Sequence, residues 1–334
     1  MSTSPERAAR FHAPRPAALA VALTLAAAGL TACGGDSDDE GTAAAVAPTA
    51  SDFPATEGST LEQILSEATA EGPVVSASSE FWPVGKDRYS FGVFETGGEA
   101  ITDAEVALYV ARDLEDPAQG PYPARIDDLS VEGPFHSRTT AEDPDSAKVV
   151  YVTEVDFEQP GKWIVAALIR SGDSFQVSLV QTARVGEFTT LPQPGDRAPS
   201  IHTPTEEDVS DLAEIDTRDP HDTMHEEDLA DVLGEKPVVL LFASPALCLS
   251  RVCGPVVDVA EQVKSEYGDD AAFIHVEPYQ GNVRDKGLNE SAEAYGLPAE
   301  PWLFVIDRDG KVTASIPGAF GADELESAVQ EVVG

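Results

Sequence analysis

The chain has 334 residues, enough for two domains with targeting and linker segments, and its 42% hydrophobic content excludes a wholly disordered polymer. Lys and Arg number 21 against 60 Asp and Glu, a formal net charge of −39. This acidity is spread along the chain and repels phosphate backbones, which sets nucleic-acid partners aside and reads as a well-solvated surface rather than a cation-binding tail.

Arg7, Arg10 and Arg15 make a positive start, and Ala17 to Leu30 is an uncharged stretch dominated by Ala and Leu. The stretch is too short to span a bilayer comfortably and is followed by small residues, so residues 1–32 are expected to be a signal peptide. Leu30-Thr31-Ala32-Cys33 resembles the lipobox of bacterial lipoproteins. That resemblance implies a lipidated Cys33 as the first mature residue and an extracytoplasmic protein anchored to the cell membrane. Residues 33–73 then read as the lipidated Cys and a tether, flexible at least from Gly34 to about Glu57, where Gly, Ala, Ser, Thr, Asp and Pro dominate without hydrophobic periodicity.

Residues 74–190 carry short apolar or alternating segments: 89–94, 105–110, 149–152, 163–168 and 175–180. Gly, Pro and Asp clusters punctuate them, with Gly97-Gly98 a hairpin turn, and the pattern predicts an all-β antiparallel sandwich. Asp103-Ala104-Glu105-Val106 and Pro160-Gly161-Lys162-Trp163 resemble the immunoglobulin-like modules of bacterial envelope proteins. No group in this region has catalytic spacing, and His136 stands alone. Residues 191–222, rich in Pro and acids, read as a linker.

Residues 223–334 read as α/β. Thr223 with Glu226 forms a capping box for a helix through Leu233. Val238 to Ala243 is a buried-type strand without alternation. Val256, Val259, Ala260, Val263 and Tyr267 share a helical face. A strand at 272–276, a helix near 288–295, strands at 302–306 and 312–316, and a final helix capped near Asp323 complete the order β-α-β-α-β-β-α. That order, together with Pro194-Gly195-Asp196-Arg197-Ala198-Pro199, the run Tyr295 to Pro301, and the hairpin Asp307-Arg308-Asp309-Gly310, resembles the thioredoxin-like proteins of the TlpA type over residues 194–334. The resemblance implies a cis-proline at Pro301 that shapes a substrate groove.

With Cys33 lipidated, Cys248 and Cys253 remain, and an even pair in an exported protein is expected to be disulfide-capable. They lie between the first central strand and the next helix, where free N–H groups and the dipole favour thiolate, the species that attacks disulfides. Arg251 stands between them as a further source of positive charge. The family spacing is two residues, and here it is four. Residues five apart on a regular helix sit about 140° around the axis, so the pair bonds only if it leaves the helix. Pro255 is therefore expected to start the helix, with both cysteines in the loop before it. The expected function is thiol–disulfide exchange on exported proteins with no organic cofactor, Cys248 placed first as nucleophile and Cys253 as resolving residue. Cys253-Gly254-Pro255-Val256 is also similar to the family's Cys-Gly-Pro-Cys with its second cysteine lost, which leaves the roles within the pair open. A non-enzymatic binding module with a structural disulfide is the first alternative. The second is a Sco-like copper chaperone, since Cys-x4-Cys before Gly-Pro is also similar to that family, although Ala299-Glu300-Pro301 lacks its histidine. His221, Met224 and His225 form a small cluster and His275 lies on a strand; neither is assigned a metal. A peroxidase reading ranks below these, because Ser244 to Cys248 lacks the local pattern of peroxiredoxins, which set a Thr and an Arg near the cysteine to activate peroxide.

Overall fold

The computed structural model describes residues 47–186, 190–248 and 250–334. The expected signal peptide, Cys33 and the first part of the tether lie outside the described residues. In chain order, a short helix α1 (Leu61–Leu65) leads into strands β1 (Ala68–Glu71), β2 (Val74–Ala77), β3 (Phe81–Trp82), β4 (Gly85–Phe94), β5 (Val106–Ala111), β6 (Gln119–Pro123) and β7 (Arg125–Asp128). Helix α2 (Arg138–Ala141) follows, then β8 (Val149–Phe157), β9 (Gly161–Ser171), β10 (Ser174–Leu179) and β11 (Ala183–Val185).

These strands form two sheets. One is seven-stranded and centred on β9; the other runs β2-β4-β8-β7. Tyr89, Phe91, Tyr151 and Phe157 of the second meet Leu108, Val110, Val165 and Ile169 of the first in one apolar core, which makes a sandwich as expected. The sandwich is not wholly antiparallel, because β1 pairs with β10 and β3 with β11 in parallel.

The sandwich also begins earlier than residue 74. Phe53, Leu61 and Ile64 are buried against Ala107, Tyr109, Ala166 and Leu168 on the outer face of the larger sheet. Thr60 and Gln63 form a capping box that starts α1. The expected tether through residue 73 is thus corrected: covering an apolar sheet face outweighs local polarity. It also explains why β5 is buried at all six positions instead of alternating.

The second half contains α3 (Leu229–Val232), β12 (Val238–Phe242), α4 (Cys253–Tyr267), β13 (Ala272–Val276), α5 (Glu290–Tyr295), β14 (Trp302–Ile306), β15 (Val312–Pro317) and α6 (Ala322–Val333). The sheet order is β13-β12-β14-β15, with β13 parallel to β12 and β14 antiparallel to both its neighbours. This is the β-α-β-α-β-β-α arrangement expected. One sheet face, with Val239, Leu241, Leu303 and Val305, packs on α4 and α6; the other, with Leu240, Phe242 and Phe304, packs on α5.

Three local expectations change. The helix expected from Thr223 is only α3, capped by Asp228, because Thr223 bonds Glu261 instead and Met224 and His225 are buried. The last helix is capped by Gly321, not Asp323. The segment 191–222 packs instead of spanning. Gly195 and Ala198 donate to Val312 and Gly310, which adds it to the β15 hairpin, and Thr203, Asp216, Arg218 and Asp222 are buried.

The halves belong to one compact unit. Leu129, Val150 and Val152 of the sandwich join the apolar cluster formed by α4 and α6. Arg88 donates to Glu324 through two nitrogens and to the carbonyls of Pro317 and Ala319. Gly318 has φ of 75°, and a Cβ there would lie 2.3 Å from Ser78 Cβ, so only glycine fits this crossing. No helix among the described residues is long and apolar enough to cross a membrane.

Candidate functional site

β12 ends at Phe242, and a loop carries the chain through Cys248 to α4. Cys253 is the first residue of that helix, and Pro255 is the third. The expectation that Pro255 starts the helix, with both cysteines before it, is corrected by two residues. The first N–H groups of a helix have no internal partner, so proline fits there without losing a bond. Only Cys248 is in the loop, and this removes the helical-spacing obstacle. The two form a disulfide with Cα atoms 5.8 Å apart. Cys253 N–H donates to Cys248 Sγ at 3.3 Å, and Ser250 Oγ lies 3.2 Å from the same sulfur. Cys248 is 9% exposed and Cys253 is fully buried.

The sandwich reaches over this loop. A Cβ on Gly254 would lie 2.8 Å from Thr140 Oγ1 of α2. Ser137 donates through N–H and hydroxyl to Asp258 of α4, whose other oxygen accepts from Arg218 at 2.8 Å. Arg251 pairs with Asp143 at 2.8 Å, and its carbonyl accepts from Ala147 N–H. Its positive charge is therefore directed to a sandwich carboxylate. On the other side Arg284 donates to the carbonyl of Leu247.

The Glu300–Pro301 peptide is cis, as the sequence resemblance implied. The pairing of Phe242 with Trp302 sets Pro301 at the same sheet end as the cysteine loop. The Glu300 carboxylate is buried without a well-formed hydrogen bond, close to Tyr279 and the backbone of Ser244. Burial pushes its pKa up to about 7 against the relief offered by Tyr279 and Arg284.

His136 is exposed. His225 and His275, from the two groups left without a metal above, meet Asp216 and Asp222 in a buried cluster whose ligand atoms all lie within 4.8 Å of one another. Met224 points into the apolar core instead. The two carboxylates were not singled out in the sequence, because acids are so common in this chain. The only local sign is the density of acids and histidines between Asp216 and His225. The cluster includes neither cysteine.

Strand order and the disulfide at the start of α4 together define a class, a thioredoxin-fold unit joined to a β-sandwich. No protein-family model and no curated protein matches the chain. Among solved structures it is similar to a Chlorobium tepidum protein assigned as thiol:disulfide interchange protein DsbE, at 20% identity and a TM-score of 0.31, covering 43% of this chain and 99% of that one. A thioredoxin-family thiol:disulfide interchange protein from Chlorobium tepidum TLS gives 18% identity and a TM-score of 0.30, over 42% and 99% of the two chains. The CARDB domain of a Pyrococcus furiosus protein gives 15% identity and a TM-score of 0.18, over 34% of this chain and 96% of that one. The fold is carried by the strand order and register given above.

Proposed function

We propose that the chain is an extracytoplasmic protein, anchored through a lipid on Cys33, that exchanges disulfides with exported proteins through Cys248 and Cys253. The observation that carries this reading is the Cys253 N–H donated to Cys248 Sγ at the N-terminus of α4. A charge-assisted donor and the positive helix end stabilise a thiolate on Cys248. An incoming partner thiolate attacks Cys248, the more accessible sulfur; the Cys248–Cys253 bond breaks and Cys253 leaves as thiolate. A second partner thiol then displaces Cys248, so the partner dithiol becomes a disulfide and this pair takes up two electrons and two protons. The reverse direction oxidises the pair. Pro301 borders the groove that receives the partner's chain, and the sandwich is an immunoglobulin-like module that positions the unit.

The second reading, a binding module with a structural disulfide, is favoured by the full burial of Cys253 beneath the sandwich. Thiol trapping of the full chain across glutathione ratios separates the two. A pair that opens reversibly at about −120 to −270 mV is an exchanger; one that stays closed below about −300 mV is a staple.

A further inference from the structure

We propose that Asp216, Asp222, His225 and His275 form a site for one divalent zinc ion, separate from the cysteine pair. The four come from the segment before α3 and from β13, and all are buried. His275 Nδ1 lies 2.7 Å from Asp222 Oδ2, and its Nε2 lies 3.0 Å from the carbonyl of Ala243. The carbonyl only accepts, so Nε2 carries a hydrogen, and Nδ1 meets the carboxylate either through a second proton, as an imidazolium, or through a metal ion that takes that proton's place. His225 is 3% exposed, and neither ring nitrogen has a hydrogen-bond partner. Its Nε2 lies 3.4 Å from Asp222 and 3.7 Å from Asp216. A buried imidazole within ion-pair reach of two carboxylates, yet in hydrogen-bond geometry with neither, leaves both its ring nitrogens uncommitted and one of them aimed at further ligand atoms.

A tetrahedral zinc ion with ligand bonds near 2.0–2.1 Å sets its ligand atoms about 3.3 Å apart. The two His225 distances are near that value, and His275 Nδ1 and Asp222 Oδ2, at 2.7 Å, would move apart by a few tenths of an ångström as the ion replaces the proton between them. Two imidazoles and two carboxylates suit zinc better than a hard cation such as magnesium or calcium. The outer contacts a metal site requires are also present. Asp216 accepts from the N–H groups of Arg218 and Asp222, Asp222 accepts from that of Met224, and His275 is oriented by Ala243. A cavity of about 160 Å³, lined by His225, His275, Glu277, Tyr279 and Asn282, gives an ion a path in. The ion would tie the segment before α3 to β13, directly behind the chain that leads into the cysteine loop.

The test uses the full chain, oxidised, stripped with chelator and titrated with zinc chloride alone, and separately with cobalt chloride. One zinc per chain is expected. His225→Asn should weaken binding beyond the roughly 10–100-fold seen on losing an outer-shell partner. His136→Ala should leave it unchanged. The cobalt form should show a four-coordinate spectrum without a thiolate charge-transfer band. Failure to bind zinc, full-strength binding in a folded His225→Asn, or a thiolate band overturns the proposal. Should His225→Asn not fold, the wild-type cobalt spectrum decides.

Discussion

Glu300 offers the most direct test of the electrostatics beside Pro301. Its carboxyl titrates at 4.5 when unfolded and is raised to about 7 in the folded chain, chiefly by burial. Between those values the folded state binds the proton more tightly, so unfolding releases it and stability falls as pH rises. Below pH 4.5 both states are protonated and nothing is lost; above pH 7 both are ionised and the whole penalty is present. At about 1.36 kcal/mol per unit the ceiling is ~3 kcal/mol, and partial solvent access brings the expectation to about 1–3 kcal/mol. Glu300→Gln keeps the shape and removes the titration. Urea unfolding of the non-reduced protein at several pH values from 4.5 to 8 should show the variant level with wild type at the acid end. It should be more stable by that amount at pH 8, with unchanged m. Asp87, raised to about 6 by burial, contributes the same sign to both proteins and cancels in the difference. Parallel profiles for the two proteins would refute a buried, strained Glu300.

Asp258→Ala removes the partner of buried Arg218 and the acceptor of Ser137. It should destabilise by about 3–5 kcal/mol in urea, and a loss under about 1 kcal/mol would mean Arg218 finds another partner. Arg88→Met should cost about 2–4 kcal/mol, since two carbonyls lose their donor and Glu324 keeps only Arg125 at 3.2 Å. In calorimetry the sandwich and the thioredoxin-fold part should then begin to melt separately, and a single unshifted transition would contradict the clamp. Gly318→Ala should cost about 2 kcal/mol or more, because it adds both a positive-φ side chain and a clash with Ser78. Thermal unfolding reads this, and a neutral result would require the crossing to open.

The thioredoxin-fold half was legible because its central strands are unbroken apolar runs. Val238 to Phe242 and Trp302 to Ile306 are buried at every position, which only a sheet covered on both faces produces. The same signal stood unread in the sandwich. Val149 to Val152 do not alternate because Tyr151 faces the sandwich core while Val150 and Val152 face α4 and α6. What hid the N-terminal cover was brevity: Phe53, Leu61 and Ile64 are too few to make a period, though Thr60 and Gln63 marked a helix start. The capping box at Thr223 misled because Asp222, one residue earlier, is drawn into a buried pair with His275, a constraint 53 residues away in sequence. No spacing rule reaches that far, and for the same reason the acids and histidines between Asp216 and His225 could be seen in the sequence but not joined to His275.

The four-residue spacing of the cysteines takes on a meaning once both halves are in place. In the exchange proposed above, a loop of that length would wander on reduction if only its ends held it, and Cys248 would drift from the helix terminus proposed to favour its thiolate. Here the loop is held from outside at several points. Thr217 accepts from Ala246 N–H, Arg284 binds the carbonyl of Leu247, and Asp143 and Ala147 of the sandwich grip Arg251 on both its side chain and its backbone. Arg251 itself has φ of 60°, a conformation non-glycine residues adopt only where surroundings impose it. These bonds do not involve sulfur and are unaffected by its redox state. Under the proposed exchange, breaking the disulfide would therefore leave Cys248 beside the Cys253 N–H, preorganised to close again. A two-residue spacing achieves that through the helix alone; the longer loop achieves it by borrowing the sandwich.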